Sequence, residues 1–287
     1  MNDKIVFEIG DFGTRAVVKS AWRENYTSLL LDKNVSELEL NHAKGWHGSN
    51  VDFLQYLPDL ISFTIIDFNA MLKSIKAVHC LEKLKVLNIS TYCKTPIDFN
   101  FFPVLEKCGF EWRKGSESLF SRISLVKLFL NSYNKNDSNV FSPLTNLTDL
   151  AILNAPLKEL LGLASLRHLV RFRIGNLNKL TSLQGIGGLS KLEELKIQRC
   201  RRIQSISEIL NLYNLKRFLL LDSGDIESIK GIENLTKLET FLFYESTNIV
   251  DGDLSPLLKL KKLSNIAFQS RKHYTPSRED FKSKYSI

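Results

Sequence analysis

Several short stretches have residue types that could do chemistry. Asp11-Phe12-Gly13 spells a tripeptide that kinases use to hold a nucleotide-bound metal, but no glycine-rich loop or catalytic loop accompanies it. Gly185-Ile186-Gly187-Gly188 has the glycine density of a phosphate loop without the Lys-Ser/Thr that completes one. Asp251-Gly252-Asp253 has the acid–glycine–acid look of a calcium loop, yet no glutamate stands at the required spacing downstream. His42 and His47 lie five apart with no cysteine or third histidine nearby, too few ligands for a zinc site. Cys80, Cys93, Cys108 and Cys200 contain no CxxC pair, so neither a metal knuckle nor a disulfide framework is expected. These stretches are read as turns and solvated loops. The expectation is a chain with no metal, no cofactor and no catalytic activity.

What positions every side chain is an internal repeat. The 287 residues are 44% hydrophobic and 24% charged, an ordinary globular composition that argues against wholesale disorder. Apolar residues spaced Leu-x-x-Leu-x-x-Leu-x-Leu recur as Leu144-Leu147-Leu150-Ile152, Leu166-Leu169-Phe172-Ile174 and Leu189-Leu192-Leu195-Ile197. They continue as Leu212-Leu215-Phe218-Leu220, Leu235-Leu238-Phe241-Phe243 and Leu260-Leu263-Ile266-Phe268. Looser copies lie upstream, among them Leu57-Leu60-Phe63-Ile65 and Leu81-Leu84-Leu87-Ile89. The third apolar position falls at 38, 63, 87, 108, 128, 150, 172, 195, 218, 241 and 266. That spacing of 20–25 residues lies within the range of leucine-rich repeats.

The pattern predicts an α/β solenoid: a leucine-rich repeat horseshoe of about 11 repeats with a parallel concave sheet. The final Leu-x-Leu pair has period two, so both side chains face the core while the residues around and between them face out. The leucines three apart fit a helical or 3₁₀ turn arriving at the strand. One repeat cannot bury its own apolar face, so neighbours must stack. At the amino end, Ile5–Ile9 and Arg15–Val18 read as two strands around a turn. With Tyr26–Leu31 they are expected to form a small N-terminal β cap over residues 1–31. The repeats then span 32–270, and a polar tail containing Pro276, expected to be partly ordered, spans 271–287.

The repeat resembles the bacterial, internalin-like class, on the strength of its length and of second apolar pairs such as Leu180/Leu183, Ile203/Ile206 and Ile226/Ile229. The position that class fills with asparagine is mixed here: Ala155, Leu177, Cys200, Ser223 and Ser246. Cys200 on that position is read as a buried structural thiol. Internalins are exported, whereas Met1–Gly10 shows no apolar leader run and no stretch approaches a membrane span, so a cytoplasmic location is expected.

The net charge of +8 is banded. Residues 164–217 hold eleven basic and three acidic residues, 218–258 two basic and eight acidic, and 259–287 eight basic and two acidic. The register assigns Arg171, Arg173, Lys196 and Arg217 to one outward patch beside an apolar strip of Leu219, Leu221, Leu242 and Tyr244, with Phe129 and Leu153 on earlier strands. Arginine and tyrosine around an apolar centre match the composition of protein-binding hot spots. The expected function is therefore a non-catalytic module holding a protein partner with an acidic and apolar face, as an inhibitor or immunity protein of a toxin would. The alternative is a nucleic-acid-binding protein using the band 164–217. Against it, the acidic band that follows would repel a phosphate backbone running along the repeats.

Overall fold

The computed structural model describes residues 4–282, which fall into two compact units, one up to Leu130 and one from Asn131 onward. In the first, β1 (Ile5–Gly10) and β2 (Gly13–Val18) form an antiparallel hairpin with Gly10 opposite Gly13. The strand β2 runs parallel to β3 (Val35–Asn41), and β4 (Ser62–Asp67), β5 (Val86–Thr91) and β6 (Lys107–Glu111) follow in chain order. The unit closes on β7 (Lys127–Asn131), whose last residue begins the second unit.

The inward pairs predicted from the repeat, Leu38 with Leu40, Phe63 with Ile65 and Leu87 with Ile89, are all buried. Each such side chain contributes about 1.5–3 kcal/mol on leaving water. The leucines preceding each strand are linked by i to i−3 hydrogen bonds, Leu57 N–H to the Leu54 carbonyl and Leu60 N–H to that of Leu57. This 3₁₀ winding keeps residues three apart on one side, which is why Leu54, Leu57 and Leu60 all point inward.

One element of the cap differs from expectation. Tyr26–Leu31 lies within a helix, α1 (Glu24–Asp32), rather than a β segment. Tyr26 and Leu30, one helical turn apart, are its buried residues, and Glu24 sits in the first turn, where the helix dipole favours an acid. A short apolar run such as Leu29-Leu30-Leu31 does not by itself distinguish strand from helix.

In the second unit β8 (Asp149–Leu153), β9 (Arg171–Gly175), β10 (Glu194–Gln198) and β11 (Arg217–Leu221) are parallel neighbours. A two-residue ladder of β12 (Asp225–Ile226) with β14 (Asn248–Ile249) forms beside them. The main series continues with β13 (Thr240–Tyr244) and β15 (Asn265–Phe268). Short helices α2 (Ser255–Leu258) and α3 (Arg278–Lys282) follow β14 and β15 in the chain. The core carries a column of rings: Phe218 stacks on Phe241 at 6°, and Phe243 on Phe268 at 4°. The tail contributes to it. Tyr274 and Phe281 are buried against Phe268, while most of the other residues of 271–280 are exposed; 283–287 lie outside the described residues.

Candidate functional site

The parallel register of the second unit lays outward side chains in three rows. The first runs Asp149, Arg171, Glu194, Arg217, Thr240. The second runs Ala151, Arg173, Lys196, Leu219, Leu242, and the third Leu153, Gly175, Gln198, Leu221, Tyr244. Neighbours within a row are about 4.8 Å apart at the backbone. Eight of the ten residues expected at the site therefore share four consecutive strands: Arg171, Arg173, Lys196, Arg217, Leu219, Leu221, Leu242 and Tyr244. Leu153 stands apart, three strand steps from Leu221, its Cδ2 lying over Gly175 where a Cβ would come within 2.8 Å. Phe129, 41% exposed, belongs to the first unit.

Carboxylates reshape the expected basic patch. Asp149 accepts from Arg171 Nε at 2.8 Å and from Arg173 Nη2 at 3.2 Å, and Glu194 Oε2 lies 3.8 Å from Arg217 Nε. The first row alternates in sign, and its hydrogen bond from Arg171 to Asp149 holds the guanidinium even more firmly protonated. Positive charge on this face is concentrated in the second row. Lys196 has no carboxylate within 4.0 Å among the described residues. Beside it Leu219 faces Leu242, and Leu221 faces Tyr244, which is 37% exposed.

Two polar features at the ends of these strands were not anticipated. The residue after each strand takes a left-handed conformation at Asn154, Asn176, Arg199, Asp222 and Glu245, with φ between 49° and 61°. Asparagine tolerates that region, and its amides link in series: Asn154 Nδ2 donates to Asn131 Oδ1 at 2.7 Å and Asn176 Nδ2 to Asn154 Oδ1 at 2.8 Å. An asparagine ladder is present, one residue earlier than the mixed position at 155 and 177. Farther along, Asp222 accepts from Ser246 Oγ at 2.6 Å and from Arg201 at 2.7 and 2.8 Å, with Arg199 at 3.4 Å. Those bonds from Ser246 and Arg201 hold its carboxyl below the usual carboxylate range. A polar residue at every strand exit, spaced 22–23 residues, was the available signal.

The first unit's face is arranged differently. Asp11 and Phe12 form the hairpin tip, and the tip reaches over the sheet: Asp11 Oδ2 lies 3.6 Å from Lys107 Nζ of β6, and that ammonium stands 5.9 Å above the Phe12 ring. Beneath it Phe12 N–H donates to Glu37 at 2.6 Å, and Ser36 Oγ to the Phe12 carbonyl at 2.9 Å. Glu39, buried, receives Arg15, Lys44 at 2.8 Å and Asn41 at 3.1 Å. Burial alone would raise its carboxyl; Lys44, Asn41 and Arg15 outweigh that and lower it. The tip roofs a polar chamber of about 340 Å³ floored by Ser62, Thr64 and Asn88.

The remaining stretches have structural places. Asp251 and Asp253 accept from the backbone N–H groups of Asp253 and Ser255, and Gly252 turns the chain between them at φ 68°. Near β3, His42 Nδ1 lies 3.3 Å from the Ile66 carbonyl. Cys200 is fully buried with its thiol 3.5 Å from the Gln198 carbonyl, and burial pushes it up to about 11. Among the described residues no group of three or more His, Cys, Asp or Glu is placed to hold a metal ion.

No protein-family model matches the chain, and no curated protein matches it. Solved structures do. The chain is similar to an internalin (InlF) from Listeria monocytogenes, at 20% identity and TM-score 0.56 over 90% of this chain and 87% of that one. It is similar to a TDR receptor, at 18% identity and TM-score 0.65 over 86% of this chain and 45% of that one. The leucine-rich repeat ectodomain of the Arabidopsis receptor kinase HAESA, solved with a peptide hormone ligand, aligns at 19% identity and TM-score 0.60 over 84% and 44%. At such identities the likeness is one of fold. The chain has the leucine-rich repeat fold, and it spans less than half the length of the two receptor chains. No helix among the described residues is long and apolar enough to cross a membrane.

Proposed function

We propose that the chain is a non-catalytic binding protein that holds a protein partner on the sheet face of its second unit. The observation that carries this reading is the registered quartet Leu219–Leu242 and Leu221–Tyr244, part-exposed apolar side chains on adjacent strands flanked by Lys196 and Arg217. Leucine-rich repeat sheets are the extended surfaces on which such proteins bind, and apolar centres edged by arginine and tyrosine form hot spots. The stacked repeats fix these side chains before a partner arrives, which lowers the ordering cost of association. The matching partner offers an apolar patch with an acidic margin toward Arg173 and Lys196. In the cytoplasm, such a face suits an inhibitor or immunity protein that covers a toxin, and repeat length supports kinship with the bacterial internalin class.

The test is affinity capture from nuclease-treated native lysate, followed by titration of the captured protein. Arg171 and Arg173 neutralise Asp149, so replacing them would disturb the strand as well as the surface. Lys196→Glu/Tyr244→Ala is the cleaner variant. It is expected to keep the wild-type melt and weaken the complex at least thirtyfold, about 2 kcal/mol. Equal affinity of both proteins for the partner would sink the assignment.

A further inference from the structure

The turns that enter the strands of the second unit form a surface distinct from the sheet face. Arg167 and His168 precede β9, Ser190 and Lys191 precede β10, Tyr213 and Asn214 precede β11, Thr236 and Lys237 precede β13, and Lys261 and Lys262 precede β15. Direct hydrogen bonds show that equivalent positions are neighbours. Asn214 Nδ2 donates to the Ser190 carbonyl at 2.6 Å, and Lys237 Nζ to Asn214 Oδ1 at 2.6 Å. Five turns at the strand spacing make a track of about 19 Å. Arg167, Lys191, Lys237, Lys261 and Lys262 are exposed and have no carboxylate within 4.0 Å among the described residues. The nearest acids in sequence are Glu193, paired with Lys216 at 2.9 Å, and Glu239.

This arrangement removes the objection that the charge bands raise. Asp222 and Glu245 directly follow β11 and β13, Asp225 opens β12, and Asp251 and Asp253 lie beyond β14, so most of the acidic band stands past the exit ends of the main strands, while Lys237 stands at the entry end of β13. The five entry turns named above hold five cations and no acid, whereas the exit side mixes these acids with Arg199, Arg201 and Arg202. In the middle of the track, where the cation is replaced by Asn214, stands Tyr213. It is 57% exposed, and its hydroxyl donates to Asn211 Oδ1 at 3.3 Å.

We propose that this edge binds single-stranded nucleic acid, the five cations following the phosphates and the Tyr213 ring stacking on a base. Cations alone would serve an acidic peptide equally well; a fixed, exposed ring among them gives a single strand, whose bases are free, an additional contact. A duplex hides its bases from the ring and is expected to bind more weakly.

The test is fluorescence anisotropy with a labelled twelve-nucleotide oligouridylate. Five phosphate contacts predict a log–log salt slope of about −3.5, so affinity should fall roughly a hundredfold between 50 and 200 mM salt. Lys191→Glu/Lys237→Glu should weaken binding at least tenfold and flatten the slope by about one to two. Tyr213→Ala should weaken it at least fivefold with the slope unchanged, and Lys196→Glu/Tyr244→Ala on the sheet face should bind as wild type. Absence of binding at 50 mM salt overturns the proposal. So does binding that ignores Tyr213 and is matched by polyglutamate or by vesicles with one-quarter anionic lipid, or binding lost in the sheet-face variant.

Discussion

The sheet faces of the two units are built on the same repeat and end in opposite conditions. In the first, most outward positions of β3 to β6 are polar, and the chain's own hairpin engages several: Glu37 receives Phe12, Glu39 receives Arg15, and Lys107 pairs with Asp11. In the second, part-exposed leucines and a tyrosine stand beside Lys196. The repeat backbone dictates where outward side chains stand and is indifferent to what they are. Whether a face is covered by its own chain or stays part-exposed is decided by those few residues.

The comparison can be broken or sharpened by substitution. The largest effect is expected in the first unit. Glu39→Ala leaves Arg15, Lys44 and Asn41 without their shared carboxylate and should lower stability by about 3 kcal/mol, read from urea unfolding. In the second unit Leu242→Ala should cost less than that in stability but about 2 kcal/mol in partner affinity, read by titration. If both effects appeared as lost stability, the two faces would be alike.

Asp149→Asn comes next. It removes the anion shared by Arg171 and Arg173, and should cost about 1 kcal/mol in stability while speeding association with an acidic partner at low salt, measured by stopped flow. A smaller effect is expected from Asp222. Its carboxyl is held below the ordinary value, so its contribution is complete above the unfolded-state value near 3.9 and is lost as pH falls through the lower folded-state value. The melting temperature of Asp222→Asn should therefore fall less steeply than that of wild type from about pH 4 downward. The smallest is Asp11→Asn. Its exposed pair with Lys107 should be worth under about 0.5 kcal/mol, yet faster amide exchange at Phe12 would report a lifted hairpin tip.

Much of this was legible in the sequence, because a repeat that must bury its apolar face leaves little choice of register. Leu150, Phe172, Leu195, Phe218, Phe241 and Ile266 are all fully buried strand residues where their spacing placed them. From that frame the outward set at Arg173, Lys196, Leu219 and Tyr244 follows. Partners across strands were harder to read. Asp149 lies 22 residues from Arg171 in the chain, and only pairing of β8 with β9 brings them to 2.8 Å. The helix over Tyr26 was ambiguous because its apolar run suits either period. Charge summed along the chain misled for a related reason: Lys237 and Asp222 belong to one acidic stretch but to opposite strand ends.

The ring column of the second unit has a consequence for how the tail is held. The Phe243 and Phe268 rings lie parallel, at 4°. Phe281 meets Phe268 at 86° instead. An edge-to-face contact sets a rim of one ring against the face of the other, so it selects an angle as well as a position. Through that quarter-turn, residues far along a polar stretch are oriented on the core by two rings, Tyr274 and Phe281.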